Sequence, residues 1–288
     1  ERTKNREHIE TGATPFDDAF KTEVMRLKEF LVPLINELYG TEFDADVVDV
    51  VREANEHYLL AGLKEDDNRI PHRESDSCLR IGDKLYHVEC QSTEDGNILI
   101  RLVEYNMQIG LENAHSGDTD SLIIDLPMTS LLMLRSGGEM LPRKTTKEII
   151  YRHGESELSM QIPVLHVQSY SSEEIYARKL YFLIPFYTLR YEDTIGRIAK
   201  NPLETKDEYD KIFTELVQWF HRLEGACESR EITEDEGRKL AELSRMILNH
   251  ITRKMQHEQA ERMVSTVGGK VLELQEDRWF AQGREEGR

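Results

Sequence analysis

The chain alternates between two hydrophobic rhythms. Phe16, Phe20, Val24, Leu27 and Leu31 recur at helical spacing. Thr14-Pro15 supplies an N-cap and a first-position proline, with Asp17 and Asp18 in the first turn. Pro33 is expected to kink or split this helix, and Leu34, Ile35 and Leu38 carry a second piece to Tyr39-Gly40. Residues 41–74 are mixed: DVVDVVREAN reads half helix, half strand, HYLLAGL reads as a buried segment, and a charged loop follows. From Ser75 the period changes to two. The stretch SDSCLRIGDKLYHVECQS reads as two strands joined by Gly82-Asp83, because glycine takes the positive φ that a type II′ turn needs at its first central position.

With those two residues as the loop, opposed residues have numbers that sum to a constant. Ile81 faces Lys84, Arg80 faces Leu85, Cys78 faces His87, and Asp76 faces Glu89. Opposed Cβ atoms lie roughly 5 Å apart, where two carboxylates repel. A divalent cation between them removes that objection, and carboxylate oxygens suit Mg²⁺. Strand alternation puts Gln91 on the face of Asp76 and Glu89, and leaves Leu79, Ile81, Tyr86, Val88 and Cys90 for a core. A solvated acidic hairpin face is the alternative reading of the same spacing.

After a loop over 93–97, Ile98 to Ala114 makes a helix with Ile98, Leu102, Tyr105 and Ile109 on one side. Arg101 and Tyr105 are four apart and share a face. Four strand-like runs follow, Ser121–Asp125, Ser130–Arg135, Lys147–Tyr151 and Leu158–Val167, bounded by turns such as Gly137-Gly138 and His153-Gly154 and expected to extend the sheet. Ser171-Ser172-Glu173-Glu174 is a capping box. Beyond it the pattern is helical: Leu180, Leu183, Phe186 and Leu189, interrupted by Pro185, then Leu203–Leu223 and Ile232–Val264. The expected organisation is a disordered segment over 1–13, a sheet domain over 14–170, and a helical region over 171–288 that ends in a charged Gly-Arg-Glu repeat.

Composition narrows the class. Charged residues are 32% of the chain against 39% hydrophobic, which suits exposed helices more than one tight globule. No apolar run approaches the roughly 20 residues that span a membrane. The charged start, ERTKNREHIE, does not read as a signal peptide. Cys78, Cys90 and Cys227 form no CxxC and no framework, which fits a reducing, cytoplasmic setting without membrane association. The ten histidines form no HxH or HExxH pattern, so zinc has no support. The net charge of −18 argues against broad, tight duplex binding, though not against a local basic groove.

Five stretches in order, PFDDAFK, LVPLINELYG, HVECQSTEDGN, IRLVEYNMQIGLE and KLYFLIPFY, resemble the PD-(D/E)XK nuclease family transposases, relatives of the recombination-promoting nucleases. The resemblance covers about Phe16 to Glu192, and the helical tail more faintly. It implies an α/β, restriction-endonuclease-like mixed sheet flanked by helices, followed by an all-helical C-terminal region. It implies a Mg²⁺-dependent endonuclease (Mn²⁺ as the alternative ion) acting on DNA in recombination, mobile elements or phage defence. Asp76, Glu89 and Gln91 would be catalytic, with Gln91 where most relatives of this fold carry lysine. Asp76, Glu89 and Asp17, from an Asp-x-x-Phe-Lys signature, would hold the metal. Arg101 and Tyr105 match an Arg-x3-Tyr pair and would bind substrate, the arginine clamping a phosphate. His87, on Glu89's face, is a weaker candidate base. Gln91 carries no charge and only hydrogen-bonds, so a catalytically weak nuclease-fold binding or assembly protein is the second expectation. A helical oligomerisation protein with a scaffold sheet is the third. A homodimer or higher oligomer through the helical region is expected in each case.

Overall fold

The computed structural model describes residues 15–52, 56–58, 72–74, 77–92, 95–118, 120–138 and 141–267. Outside them lie the expectations for the disordered start, for the buried segment and charged loop over 59–71, for Asp76 and for the terminal repeat. The first helix, α1 (Pro15–Arg26), buries Phe16, Phe20 and Val24. The chain breaks at Leu27, not at Pro33. Pro33 falls in the first turn of α2 (Leu31–Tyr39), where its missing N–H would have no helical partner. Gly40, left-handed at φ 67°, caps the end of α2. Strand β1 (Val50–Arg52) follows, then β2 (Glu56–Tyr58) and β3 (His72–Glu74), which pair with each other.

The hairpin has the expected register. In β4 (Cys78–Ile81) and β5 (Lys84–Gln91), Cys78 pairs with His87, Leu79 with Tyr86, Arg80 with Leu85 and Ile81 with Lys84. Gly82 has φ 62°. Helix α3 (Ile98–Glu112) then crosses over the sheet. The expected strand at 121–125 does not join that sheet. It is reduced to β7 (Leu122–Ile123) against β6 (His115–Ser116), with Leu122 and Ile123 left exposed. The main sheet resumes with β8 (Met128–Met133), β9 (Lys144–His153) and β10 (Ser156–His166). Its order is β1-β4-β5-β8-β10-β9. β8 runs parallel to both β5 and β10, and the other pairings are antiparallel.

Alternation assigns the two faces. Leu85, His87, Glu89 and Gln91 of β5, with Leu131 and Met133 of β8 and Ile162 and Val164 of β10, point to the α3 side. Their neighbours Tyr86, Val88, Cys90, Leu132, Leu134 and Leu165 enter the larger core on the opposite face. That core is continuous with α1, α2 and the helical region. It takes in α4 (Ser172–Ala177), α5 (Glu192–Lys200), α6 (Lys206–Glu228), α7 (Glu234–Thr252) and α8 (His257–Thr266). Ser171 and Glu174 make the expected capping box on α4. The stretch 181–191 is a chain of buried 3₁₀ turns rather than a helix. The run expected over 232–264 divides into α7 and α8 at residues 253–256. The protein is thus a mixed α/β fold: a six-stranded mixed sheet flanked by helices, followed by a helical C-terminal region. Among the described residues no helix is long and apolar enough to cross a membrane.

Candidate functional site

The polar face of β5 is covered, not solvated. Leu102, Tyr105, Asn106 and Ile109 turn one side of α3 onto the sheet. Beneath them His87 is 0% exposed, Glu89 2% and Gln91 7%. Glu89 pairs with Leu131 and Gln91 with Met133, so both stand at the carboxyl ends of two parallel strands. In open α/β sheets that end is where ligands bind.

A buried carboxylate costs several kcal/mol unless it is paired. Arg101, one turn into α3, supplies the partner: its Nη2 lies 2.6 Å from Glu89 Oε1, and its Nη1 donates to Asp95 Oδ2 at 3.2 Å. Burial disfavours the guanidinium's charge, but the Glu89 charge and hydrogen bond, together with Tyr105 and Asp95, outweigh it, and the Arg101 pKa moves up. Arg101 is 32% exposed, so it forms the mouth of the site. Its Nε is buried without a hydrogen-bond partner among the described residues.

Glu89 Oε2 faces His87 Nε2 at 3.5 Å. On the other side of the ring, Nδ1 is 3.0 Å from Asn106 Oδ1, which also accepts from Thr129 Oγ1 at 2.7 Å. Nδ1 is thus anchored by Asn106, while Nε2 has no hydrogen-bond partner among the described residues and only faces the carboxylate. Asn106 and the sheet hold the ring against Glu89.

The structure therefore brings four expected site residues together: Glu89, Arg101, Gln91 and Tyr105. Tyr105 sets its ring edge-on to His87 at 5.8 Å. The Gln91 amide turns back to donate to the Cys90 carbonyl at 3.1 Å. Asp76 lies outside the described residues. Asp17 is half-buried in the first turn of α1, beside Phe16, whose ring carries the Arg135 guanidinium at 4.7 Å. Among the described residues no group of three His, Cys, Asp or Glu side chains could hold a metal. A cation reaches Glu89 only if Arg101 leaves it, so the described residues as they stand do not fit one.

Asn106, Thr129 and Asp95 were not anticipated. Asn106 did leave a signal: at 106 it interrupts the apolar stripe 102, 105, 109, and a polar residue on a buried helix face needs a buried partner. Comparison of the chain with family models, with curated proteins and with solved structures finds no match.

Proposed function

We propose that the chain is a phosphodiester hydrolase of the PD-(D/E)XK nuclease kind acting on DNA, held in a closed state by Arg101. One observation carries this reading. Glu89 is a fully buried carboxylate at the carboxyl ends of parallel strands, with a partly exposed arginine across its mouth. Replacing a buried ion pair by apolar residues is often neutral or stabilising, so stability alone is a weak reason to keep this carboxylate.

The chain's own residues perform three tasks in this reading. His87, anchored by Asn106, backs the Glu89 carboxylate. Arg101 neutralises it at rest and exchanges it for a substrate phosphate, whose oxygens match a guanidinium fork. Gln91 orients by hydrogen bonding once its amide swings from the Cys90 carbonyl. A Mg²⁺ or Mn²⁺ ion would need Glu89 released by Arg101, with Asp76 as its expected partner ligand, and would there supply an acidified water and charge neutralisation.

The Glu89–Arg101 pair also favours a second reading, a nuclease fold retained for binding, in which the closed pair never opens. Mn²⁺ calorimetry and a plasmid-nicking assay on the wild type, Glu89→Gln and Arg101→Met separate the two. The first reading expects Mg²⁺-dependent nicking by the wild type and at least a ~100-fold loss in Glu89→Gln with the fold unchanged by circular dichroism. It also expects tighter Mn²⁺ binding but slower nicking in Arg101→Met. Nicking by Glu89→Gln at the wild-type rate refutes the site. No metal binding in any of the three supports the binding protein.

A further inference from the structure

The edge strand β9 carries two of the lysines that guard such edges, Lys144 and Lys147, but lacks the other defences and mixes its charges with apolar positions. Natural edge strands are shortened, bulged, interrupted by proline or heavily charged. β9 runs ten residues in unbroken register with β10, from Lys144–Leu165 to His153–Ser156, and contains no proline. Lys144–Glu148, Ile150, Arg152 and His153 are exposed. Two of the large exposed apolar side chains of the protein sit on this hairpin, Ile150 at 43% and Leu158 at 59%.

We infer that β9 pairs antiparallel with β9 of a second copy about a two-fold axis at Ile150, making one continuous sheet across two chains. Such an axis keeps each face of the sheet on the same side, so partners share parity. With the axis at Ile150, Ile150 faces Ile150. Glu148 faces Arg152 twice, Ile149 faces Tyr151 twice, and Lys147 faces His153. Each ionic or apolar residue in the centre of the strand meets its complement. Shifting the register by two residues either way places Glu148 or Arg152 opposite Ile150 and breaks both ion pairs.

The single chain leaves these groups only partly served. Glu148 accepts from the neutral donors Ser159 Oγ and Gln161 Nε2 and has no ion-pair partner among the described residues. Arg152 meets Glu157 at 2.9 Å with both side chains largely in water, where such a pair contributes little. On the face below, Ile149 is buried against α3 while Tyr151 and Met160 are partly covered. The partner's Ile149 and Tyr151 would extend that apolar surface across the seam. The occupant is therefore a second copy of this chain, chosen by the self-complementary order Glu148–Ile150–Arg152, rather than an arbitrary extended peptide.

The test is sedimentation velocity of the full chain, wild type against Glu148→Arg and Arg152→Glu. The wild type is expected to be a dimer. Each variant sets like charges opposite one another twice and should raise the dissociation constant by about 10- to 30-fold. An equimolar mixture of the two variants restores both ion pairs in a heterodimer and should recover the wild-type constant, which a folding defect could not do. Hydrogen exchange should show the β9 amides protected in the wild type and in the mixture and open in each variant alone. A monomeric wild type, a dimer that both variants leave intact, or variants whose mixture stays monomeric would each overturn the proposal.

Discussion

Glu23 gives the sharpest test of the core. It lies on α1, fully buried, and neither carboxyl oxygen has a hydrogen-bond partner among the described residues. Burial pushes its pKa well above the ordinary value of 4.5, so the folded protein holds a neutral acid there. A folded pKa above the unfolded one means the group's contribution is unpenalised below pH 4.5 and is lost as pH rises toward the folded value. In that window the unfolded chain releases a proton that the folded chain keeps. The slope is about 1.4 kcal/mol per pH unit. Urea unfolding at a series of pH values above 4.5 should therefore show Glu23→Gln gaining stability relative to the wild type, at up to about 1.4 kcal/mol per pH unit until the folded carboxyl ionises. Glutamine keeps the size and polarity of the site, and every other titrating group is common to both proteins, so the difference isolates this carboxyl. Equal pH dependence in the two proteins would refute the reasoning, because it would mean Glu23 is charged or partnered in the fold.

Two glycines with positive φ should respond very differently to alanine, as read by thermal or urea unfolding. At Gly137 a Cβ would stand 2.3 Å from the Ser169 nitrogen and 2.5 Å from the Gln168 carbonyl carbon, both backbone, so Gly137→Ala should cost about 3 kcal/mol. At Gly82 a Cβ would meet open space, and Gly82→Ala should cost only about 1 kcal/mol, the strain of its φ of 62°.

What could be read from the sequence was local. The loop Gly82-Asp83 fixed which residues of β4 and β5 oppose each other, the 98-102-105-109 stripe fixed the face of α3, and Ser171 with Glu174 marked the start of α4. What could not be read depended on distant partners. Alternation put Glu89 on one face of β5, but whether that face was wet depended on α3 closing over it, and alternation is silent on that. The parallel pairing of β5 with β8 likewise spans a crossover that carries no local mark. Leu180, Leu183, Phe186 and Leu189 held a clue in their strict spacing of three, which matches a 3₁₀ turn better than the 3.6 of an α-helix. Leu122 and Ile123 show the reverse error: an apolar run bounded by turns that finds no place in the sheet.

The contact between the first described helix and α7 has a consequence for the order of events during synthesis. Phe16 meets the His250 ring edge-on at 5.3 Å, and Phe20 meets Phe182 at 5.4 Å. The apolar stripe of α1 therefore has no complete cover until roughly 220 more residues have followed it. At translation rates of about 5–20 residues per second, that is a delay of roughly 10–45 s. Throughout it Phe16 lacks the His250 ring, whereas Phe20 can already meet Phe182 once residues 181–191 have emerged.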